Sequence, residues 1–306
     1  MAQAGGLTAA QRQDWDRDGY LVLPQFFGAD IVDPINALVE SLLDPRVRPP
    51  QLGKRIVVDL LTGDHAGKRV RLDEAPPAAL NAGPVKFNDL ILESDTIRAC
   101  NLDPQLVAIL DDLLDGAPVA CNSLNFVRGS EQTAHVDSWF MPPPQPDKMV
   151  VTSVCLEDVR EDAGPLFYYP GSQKIPPYRF SDGRLNAIDA EMPQCIAYVE
   201  GEIKARGLSR DTFLGRKGDV FIWSCHLAHG GMPIKNPQRT RRSLVTHYWR
   251  AADMPRRKLE PHGPGAYYFA RHHQPVPTDP FWTRAAHRLR LEGKWALRQL
   301  KGTRAG

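Results

Sequence analysis

The chain has 306 residues, of which 42% are hydrophobic and 24% are charged. These are the proportions of an ordinary globular protein, and the length allows one large domain with an ample core. No apolar run approaches the length of a membrane span, and the first six residues lack the basic and apolar regions of a secretory signal. Five cysteines without paired spacing predict buried free thiols, so we expect a cytoplasmic protein.

Charge is distributed unevenly, although the net charge is only +2. Residues 254–306 contain eleven lysines and arginines against three acidic residues, a balance of +8, which leaves −6 for residues 1–253. A basic tail on an acidic body predicts an anionic partner, such as a phosphorylated or lipid-linked substrate, or peripheral contact with a membrane. A solvated helix face explains the tail equally well. Its arginines are not interleaved with stacking aromatic residues, so nucleic acid is not an expected partner.

The first 116 residues predict mainly helices. Thr8 is a candidate N-cap after Leu7, and Gly19 is a candidate stop for the helix that follows. Residues 44–86 are broken by prolines and glycines and predict at most one strand, at 54–60. The other elements expected here are a strand at Tyr20–Leu23 and apolar-periodic helices at Ala29–Leu43 and Pro104–Leu114.

Short extended segments separated by turns follow this helical part. Several short strands beside helices predict a mainly β protein with flanking helices, built on a double-stranded β-helix of the jelly-roll or cupin-like type. The predicted strands are Pro118–Arg128, Met149–Leu156, Pro165–Tyr169, Asp219–Trp223 and Ser243–Trp249.

We expect a single domain over residues 1–306, with a helical flank at 1–116, the jelly-roll core at 117–250 and a basic helical extension at 254–306. An insertion at about 175–217, with a helix near 187–206, interrupts the core strands. Excursions of this length often cover the mouth of an active site. Within the extension, residues 261–280 predict a loop and residues 281–301 a helix with basic and apolar sides.

His135 and Asp137 begin the candidate site. Side chains two residues apart on a strand point to the same face, so this imidazole and this carboxylate project together. They provide two ligands of a 2-His-1-carboxylate triad, which holds Fe(II) and leaves part of the metal open to O2 and substrate. A His-x-Asp pair alone is a weak signal, because the triad needs a second histidine on another segment.

Two histidines compete to be the third ligand. His226 and His229 are three residues apart and cannot share one strand face. His229 is followed by Gly230-Gly231, which lets the backbone pass closely around a metal, so we favour His229 and interpret His226 as a structural residue or a neighbour of a ligand. His247 is interpreted as a core residue or a neighbour of a ligand.

An arginine that follows His229 in the sequence suits the distal carboxylate of 2-oxoglutarate, because a guanidinium fork pairs with a carboxylate through two hydrogen bonds. Arg241 and Arg242 are adjacent candidates. Strand alternation places Arg241 on one face with Ser243, a better polar pair for a carboxylate than Arg242 with Leu244. We therefore favour Arg241, supported by Ser243.

These motifs together resemble the phytanoyl-CoA dioxygenase family of Fe(II)/2-oxoglutarate-dependent oxygenases. The resemblance runs from about Leu7 to Trp249, although Gly230-Gly231 replaces the Gly-Ser often found after the distal histidine. The matching stretches are 7–23, His135-Val136-Asp137, Leu156-Glu157-Asp158, 164–174, Lys217-Gly218-Asp219, His229-Gly230-Gly231 and Arg241…His247-Tyr248.

The resemblance implies a double-stranded β-helix with His135, Asp137 and His229 on iron and Arg241 on 2-oxoglutarate. It also implies a further cofactor contact from the strand before His-x-Asp, for which Asn125 is our candidate, and a cofactor-proximal side chain at Ser153. Fe(II), 2-oxoglutarate and O2 are then the expected cofactor and co-substrates.

The implied function is a dioxygenase that hydroxylates an unactivated C–H bond of a small or medium-sized organic substrate, of acyl, glycan or natural-product type, and releases succinate and CO2. An aspartate at position 137 favours this chemistry over halogenation, for which related enzymes have Ala or Gly there. Trp139, Phe140, Tyr169 and Trp223 are candidate pocket walls. The alternatives are a non-catalytic jelly-roll binding protein and an oxygenase whose basic C-terminal helix recruits a phosphorylated or lipid-linked substrate.

Overall fold

The computed structural model of the protein describes residues 6–61, 67–82 and 84–289. Helices lie mainly in the N-terminal part, as predicted, and Thr8 and Gly19 bound the first one. The Thr8 side chain caps the backbone of Gln11 in a capping box, and Gly19 ends the helix with φ +78°. The helices are α1 (Ala9–Asp18), α2 (Ala29–Leu43), α3 (Pro50–Arg55), α4 (Pro77–Ala82), α5 (Asp95–Asn101), α6 (Pro104–Leu114) and α7 (Met192–Ala205), and residues 281–289 are also helical.

A large, mostly antiparallel sheet crosses the molecule. Two of its strands, β12 (Leu259–Pro261) and β13 (Tyr267–Phe269), pair with each other. Strand β13 also runs parallel to the start of the central strand β5 (Pro118–Phe126). In spatial order the other strands are β1 (Tyr20–Leu23), β9 (Val220–Ser224), β6 (Met149–Cys155), β11 (Ser243–Arg250), β5 (Pro118–Phe126), β4 (Val85–Asn88), β2 (Val57–Leu60) and β3 (Lys68–Arg71).

A smaller antiparallel sheet faces the large one. It consists of β10 (His229–Gly231), β7 (Leu166–Tyr168) and β8 (Asp211–Phe213), in that order. The mainly β architecture with flanking helices and a jelly-roll core is therefore confirmed.

Alternation along the strands divides the core into two layers. Val220 and Ile222 of β9 pack on the helices, in a core shared with α2, α5 and α6, whereas Phe221 and Trp223 point between the two sheets. We call the side of the large sheet that carries Phe221 and Trp223 its inner face. Leu166 and Tyr168 of the small sheet pack against this inner face.

The insertion has a hydrophobic cluster of its own, which we call the insertion core. It is formed by Ile175, Phe180, Cys195, Val199 and Ile203, and it packs against three residues of the jelly roll, Val136, Trp139 and Ala228. The insertion helix is shorter than predicted because it begins at Met192, after a single 3₁₀ turn at Asp189–Glu191.

Two stretches predicted to be irregular are ordered instead. Residues 44–86 contain three strands rather than one at most, because β2, β3 and β4 extend the large sheet beyond β5. Residues 261–280 contain β13, which is held by its parallel pairing with β5. Both results depend on pairing with distant segments, which short strands with charged residues do not reveal locally.

All five cysteines are buried and free, as predicted. In the described part of the chain, no helix is both long and apolar enough to cross a membrane. The predicted C-terminal helix is present at residues 281–289, and its continuation to residue 301 lies outside the described residues.

Candidate active site

His135 and Asp137 are brought into place by backbone pairing to a distant segment. The backbone N–H of His135 donates to the carbonyl of His229 at 2.9 Å, and the N–H of His229 donates back at 3.0 Å. This bridge adds His135 to the edge of the small sheet beside β10. Val136 is extended, and Asp137 begins a 3₁₀ turn that ends at Trp139. The two candidate ligands of one segment therefore meet the third across a pair of hydrogen bonds.

The three side chains converge in the space between the sheets. One ligand atom from each of His135, Asp137 and His229 lies within 4.8 Å of the others, and all three residues are buried. Nε2 of His229 is 3.7 Å from Oδ2 of Asp137, and the two imidazole centroids are 4.4 Å apart. Two imidazoles and one carboxylate at this spacing form a donor set that fits a divalent transition metal.

Hydrogen bonds fix which ring nitrogen each histidine presents. Nδ1 of His135 lies 2.8 Å from the carbonyl of Thr133, and Nδ1 of His229 lies 2.9 Å from the carbonyl of Leu227. A carbonyl only accepts, so both Nδ1 atoms carry a proton, and in the neutral form of each ring Nε2 keeps a lone pair. The two Nε2 atoms, which are the candidate metal ligands, therefore lie near the Asp137 carboxylate.

The Asp137 carboxylate is held from the large sheet. Its Oδ2 accepts a 2.8 Å hydrogen bond from the indole N–H of Trp223, and its Oδ1 lies 3.4 Å from Nε2 of His247. Each oxygen retains lone pairs for a metal. The prediction that His247 neighbours a ligand therefore agrees with its position, and the candidate wall residue Trp223 also orients the carboxylate.

Burial and mutual proximity set the charge of the site. Burial and the neighbouring His229 together lower the pKa of His135 to about 4. Burial alone would raise the pKa of Asp137, but the adjacent His229 and the contact with His247 outweigh it and lower the pKa below its ordinary value. A neutral imidazole at His135 and an ionised carboxylate at Asp137 are the forms that bind a metal.

His226 points away from the other three residues. Its Nδ1 is 3.1 Å from the hydroxyl of Ser138, and its Nε2 is 2.7 Å from Oδ1 of Asp147. Burial lowers the pKa of His226. These contacts tie the turn after Asp137 to the segment before His229, which agrees with the structural interpretation of His226.

The glycines after His229 serve close packing rather than a turn around the metal. A Cβ at Gly230 would lie 2.6 Å from the carbonyl oxygen of Gln132, and one at Gly231 would lie 2.6 Å from the hydroxyl of Ser130. The segment that leads into His135 can therefore lie flat against β10. The prediction of His229 used these glycines as evidence, but it assigned them to a close passage of the backbone around a metal and not to packing against residues 130–132.

Arg241 is a buried cation without a carboxylate. It is 7% exposed, its Nε has no hydrogen-bond partner, and none of the carboxylates in the described residues pairs with it. Burial lowers its pKa. The nearby hydroxyl of Ser243 is likewise buried without a partner. Orphaned groups of this kind are costly unless a ligand satisfies them, so the pair fits a bound carboxylate.

Strand register places the remaining predicted contacts on different faces. Ser153 of β6 lies opposite Val245, on the inner face that also carries Ser243 and His247. Asn125 of β5 lies opposite Leu244, on the helix-facing side, and both atoms of its amide lack partners. This placement argues against the predicted contact between Asn125 and 2-oxoglutarate.

Asn122, and not Asn125, is the asparagine of β5 that lies on the inner face. It lies opposite His247, and its Nδ2 donates at 2.9 Å to Asp89. The amide oxygen of Asn122 takes no part in this hydrogen bond. Asp89 is in turn paired with Arg271 at 2.7 Å. Which of the two asparagines lies on this face depends on the pairing register of β5 with β11, which the sequence alone does not show.

The insertion packs against the two segments that carry the candidate ligands. Val136 and Trp139 flank Asp137, Ala228 precedes His229, and all three side chains enter the insertion core. The N–H of Ala228 also donates to the hydroxyl of Ser172 at 2.8 Å. The insertion thus holds both ligand-bearing segments, and the exposed ring of Phe140 remains beside His135 at 5.8 Å.

Comparison with known families identifies the chain. The family model described as phytanoyl-CoA dioxygenase (PhyH) matches residues 15–243, which is most of the chain. The chain belongs to the phytanoyl-CoA dioxygenase family. Membership agrees with the resemblance seen in the sequence and supports an Fe/2-oxoglutarate-dependent oxygenase. A search of curated protein sequences finds no match.

Several solved structures share the fold of this phytanoyl-CoA dioxygenase family member. The non-heme α-ketoglutarate-dependent carbocyclase SnoK from nogalamycin biosynthesis has a TM-score of 0.60 at 16% identity, covering 80% of this chain and 85% of its own. EctD from S. alaskensis, solved with 2-oxoglutarate and 5-hydroxyectoine, has a TM-score of 0.57 at 18% identity, covering 83% and 79%. The epimerase SnoN, solved with Fe³⁺, α-ketoglutarate and nogalamycin RO, has a TM-score of 0.56 at 19% identity, covering 78% and 82%. At these identities the likeness establishes the fold.

Proposed function

We propose that this protein is an Fe(II)/2-oxoglutarate-dependent dioxygenase that hydroxylates an unactivated C–H bond of a small or medium-sized organic substrate and releases succinate and CO2. The observation that carries the proposal is the buried cluster of His135, Asp137 and His229, in which two hydrogen bonds to carbonyls leave both Nε2 atoms free. Family membership and the jelly-roll fold are consistent with it.

His135, Asp137 and His229 would hold Fe(II), and iron together with 2-oxoglutarate and O2 supplies the oxidising power when bound. The protein's own part is to keep the ligands in place. Trp223 and His247 orient the Asp137 carboxylate, while the backbone pairing of His135 with His229 fixes the spacing of the imidazoles.

Arg241 and Ser243 would bind the distal carboxylate of 2-oxoglutarate, with Ser153 close by on the same face. Val245 lies between Ser243 and His247 on this face, and it is only half-buried. This face thus connects the candidate anion site with His247, which lies 3.4 Å from the candidate ligand Asp137. An elongated dicarboxylate that reaches from one to the other fits this arrangement.

Asp137 favours oxygenation over halogenation, because its carboxylate fills the position that a halide would need. SnoK and SnoN are described as a carbocyclase and an epimerase, so this fold supports more than one oxidative outcome. The structures of SnoN and EctD contain nogalamycin RO and 5-hydroxyectoine, which are small molecules. These likenesses support a small-molecule substrate for a single oxygenase domain.

The test is succinate formation by protein purified without oxygen and then supplied with Fe(II), ascorbate, 2-oxoglutarate and air. We expect slow turnover that His135→Ala and Arg241→Ala both abolish. Arg242→Ala is the matched control, because Arg242 is adjacent in sequence but pairs with Glu40 on the other side of the strand. Turnover that survives His135→Ala would refute the assignment of the ligands.

If the wild-type protein shows no turnover, an absorption band that requires both Fe(II) and 2-oxoglutarate would support an intact site that needs its substrate. The absence of both turnover and band would favour a non-catalytic jelly-roll binding protein instead. The presence of all three ligands and the unpaired Arg241 argues for the enzyme.

A further inference from the structure

The helical segment at residues 281–289 carries an apolar stripe that faces solvent. Phe281 is 63% exposed, Trp282 is 79% exposed and Leu289 is 67% exposed. At about 100° per residue, these three side chains fall within roughly 100° of the helix circumference. The two aromatic rings contact each other edge to face, with centroids 5.3 Å apart. Large apolar side chains grouped in this way mark a contact surface.

The base of this helix is fixed to the body of the protein. Asp279, just before it, pairs with Arg71 of β3 at 2.6 Å, and both side chains are largely buried. The hydroxyl of Thr278 donates to Glu74 at 2.7 Å. Ion pairs and hydrogen bonds therefore hold the start of the helix against the edge of the large sheet, so the stripe has a defined direction relative to the body.

Positive charge lies beside the stripe. Arg284 and Arg288 are exposed and are located next to Phe281 on the helix circumference. In the sequence, residues 281–306 contain seven lysines and arginines and a single glutamate, a balance of +6, whereas residues 1–253 carry −6. In the sequence the positive charge is thus concentrated at the C-terminal end, which begins with the exposed aromatic residues.

We infer that this segment binds the surface of a membrane that contains anionic phospholipids. Trp, Phe and Leu on one side of a helix, flanked by arginines, are features of helices that lie in the plane of the bilayer interface. The arginines complement the negative surface potential of such a membrane. This inference does not depend on the reaction proposed above.

The same features argue against the other partners that a basic helix could bind. Leu289 is part of the stripe, and an aliphatic side chain offers no stacking surface to a nucleobase. A second copy of the chain would bring together two strongly basic segments, which repel each other.

The experiment is co-sedimentation of the full chain with phosphatidylcholine vesicles that contain or lack phosphatidylglycerol. Binding is measured at about 0.1 M salt and again at about 0.5 M salt, a roughly fivefold higher ionic strength. Two double variants test the surface: Phe281→Ser/Trp282→Ser removes aromatic residues, and Arg284→Gln/Arg288→Gln removes charge. Two controls match them elsewhere on the surface: Val47→Ser changes an exposed apolar residue, and Arg256→Gln/Arg257→Gln removes the same charge.

We expect binding to vesicles with phosphatidylglycerol, little binding to phosphatidylcholine alone, and a loss of about tenfold in affinity for either test variant or at high salt. The controls should bind like the wild type. Equal binding to both vesicle types, or test variants that bind like the wild type, would overturn the inference. Binding to duplex DNA but not to vesicles would overturn it as well. Melting temperatures of all variants check that the helix changes leave the fold intact.

Discussion

The indole N–H of Trp223 donates a 2.8 Å hydrogen bond to Oδ2 of Asp137, across 86 residues of sequence. Trp223 is part of β9 in the large sheet, whereas Asp137 lies in the loop that follows the small-sheet edge. This hydrogen bond connects the two sheets at a candidate iron ligand, beside the 3.4 Å contact from His247. Partners of this kind orient the ligand and tune its affinity for the metal.

Trp223→Phe should therefore weaken metal binding by about 10- to 100-fold, because it removes the donor but keeps most of the ring. Titration with Co(II), as a stable substitute for Fe(II), measures this change. Trp249→Phe is the control, since the indole N–H of Trp249 lies near the sulfur of Met149 and not near a ligand. Unchanged affinity in Trp223→Phe would show that the indole does not support Asp137.

Asn125 and Asn122 should respond differently to substitution by leucine. Asn125→Leu removes two buried amide atoms that lack partners, so we expect unchanged or higher stability and an unchanged KM for 2-oxoglutarate. Asn122→Leu removes an amide from the inner face beside His247, so we expect a higher KM for 2-oxoglutarate or for the substrate. Succinate assays at varied 2-oxoglutarate concentrations measure the KM of both variants. A KM raised only by Asn125→Leu would restore the original prediction.

Gly218→Ala should destabilise the fold strongly. Gly218 has φ +88°, and a Cβ there would lie 2.1 Å from the carbonyl oxygen of Phe27. The left-handed conformation alone costs about 1–2 kcal/mol, and the clash adds to it. Gly183→Ala is the matched control, because Gly183 has φ +76° but open space around it, so it should lose only the conformational part. Urea unfolding measures both, and equal losses would contradict the steric argument.

Asp59→Asn should cost about 2 kcal/mol or more of unfolding free energy at neutral pH. Asp59 is largely buried and pairs with Arg69 at 2.6 Å and with Lys86 at 2.9 Å. Burial opposes ionisation, but these cations outweigh it and lower the pKa of Asp59 to about 2. The folded-state pKa thus lies about two units below an ordinary value near 4, which corresponds to about 2.6 kcal/mol.

Because the pKa of Asp59 is lowered by folding, this contribution is present above pH 4 and is lost as the pH falls toward 2. The stability difference between wild type and Asp59→Asn should therefore shrink between pH 4 and pH 2. Asp182→Asn, which changes a more exposed carboxylate 3.7 Å from Arg184, should show little difference at any pH. A constant difference for Asp59→Asn would mean that packing, and not charge, accounts for its effect.

Val199→Ala should weaken metal binding, because Val199 belongs to the insertion core that packs against Val136 and Ala228. Val107→Ala is the control: Val107 is equally buried, at 8% against 7%, but it lies in the core on the helix side. Both substitutions should cost about 2 kcal/mol of stability. Only Val199→Ala should lower the affinity for Co(II). If both variants bind Co(II) equally well, packing of the insertion does not support the candidate metal site.

The sequence predicted those parts of the site that depend on local periodicity. His135 and Asp137 were grouped by strand alternation, and the structure brings them together, although only His135 is bridged to a strand and Asp137 begins a 3₁₀ turn. Arg241 and Ser243 were paired by the same alternation. The helix start at Thr8 was equally local, since a capping box involves only residues three apart.

Features that depend on register or distant pairing could not be predicted. Asn125 and Asn122 are separated by three residues on β5, and only the pairing with β11 shows which of them is on the inner face. Strands β2, β3 and β4 are four residues long and carry charged side chains such as Lys86 and Asp59, whose partners lie on neighbouring strands. Short sequences of this kind acquire their conformation from the sheet that they join.

The insertion core has a consequence for the engineering of this enzyme. Loops around an active site are natural targets for exchange between relatives when a new substrate preference is wanted. Here Val199 and Ile203 of the exchanged segment would take with them the packing surface of Val136, Trp139 and Ala228. A chimera with a foreign insertion should therefore need those three positions from the same donor, because otherwise the segments that carry the candidate metal ligands lose their packing.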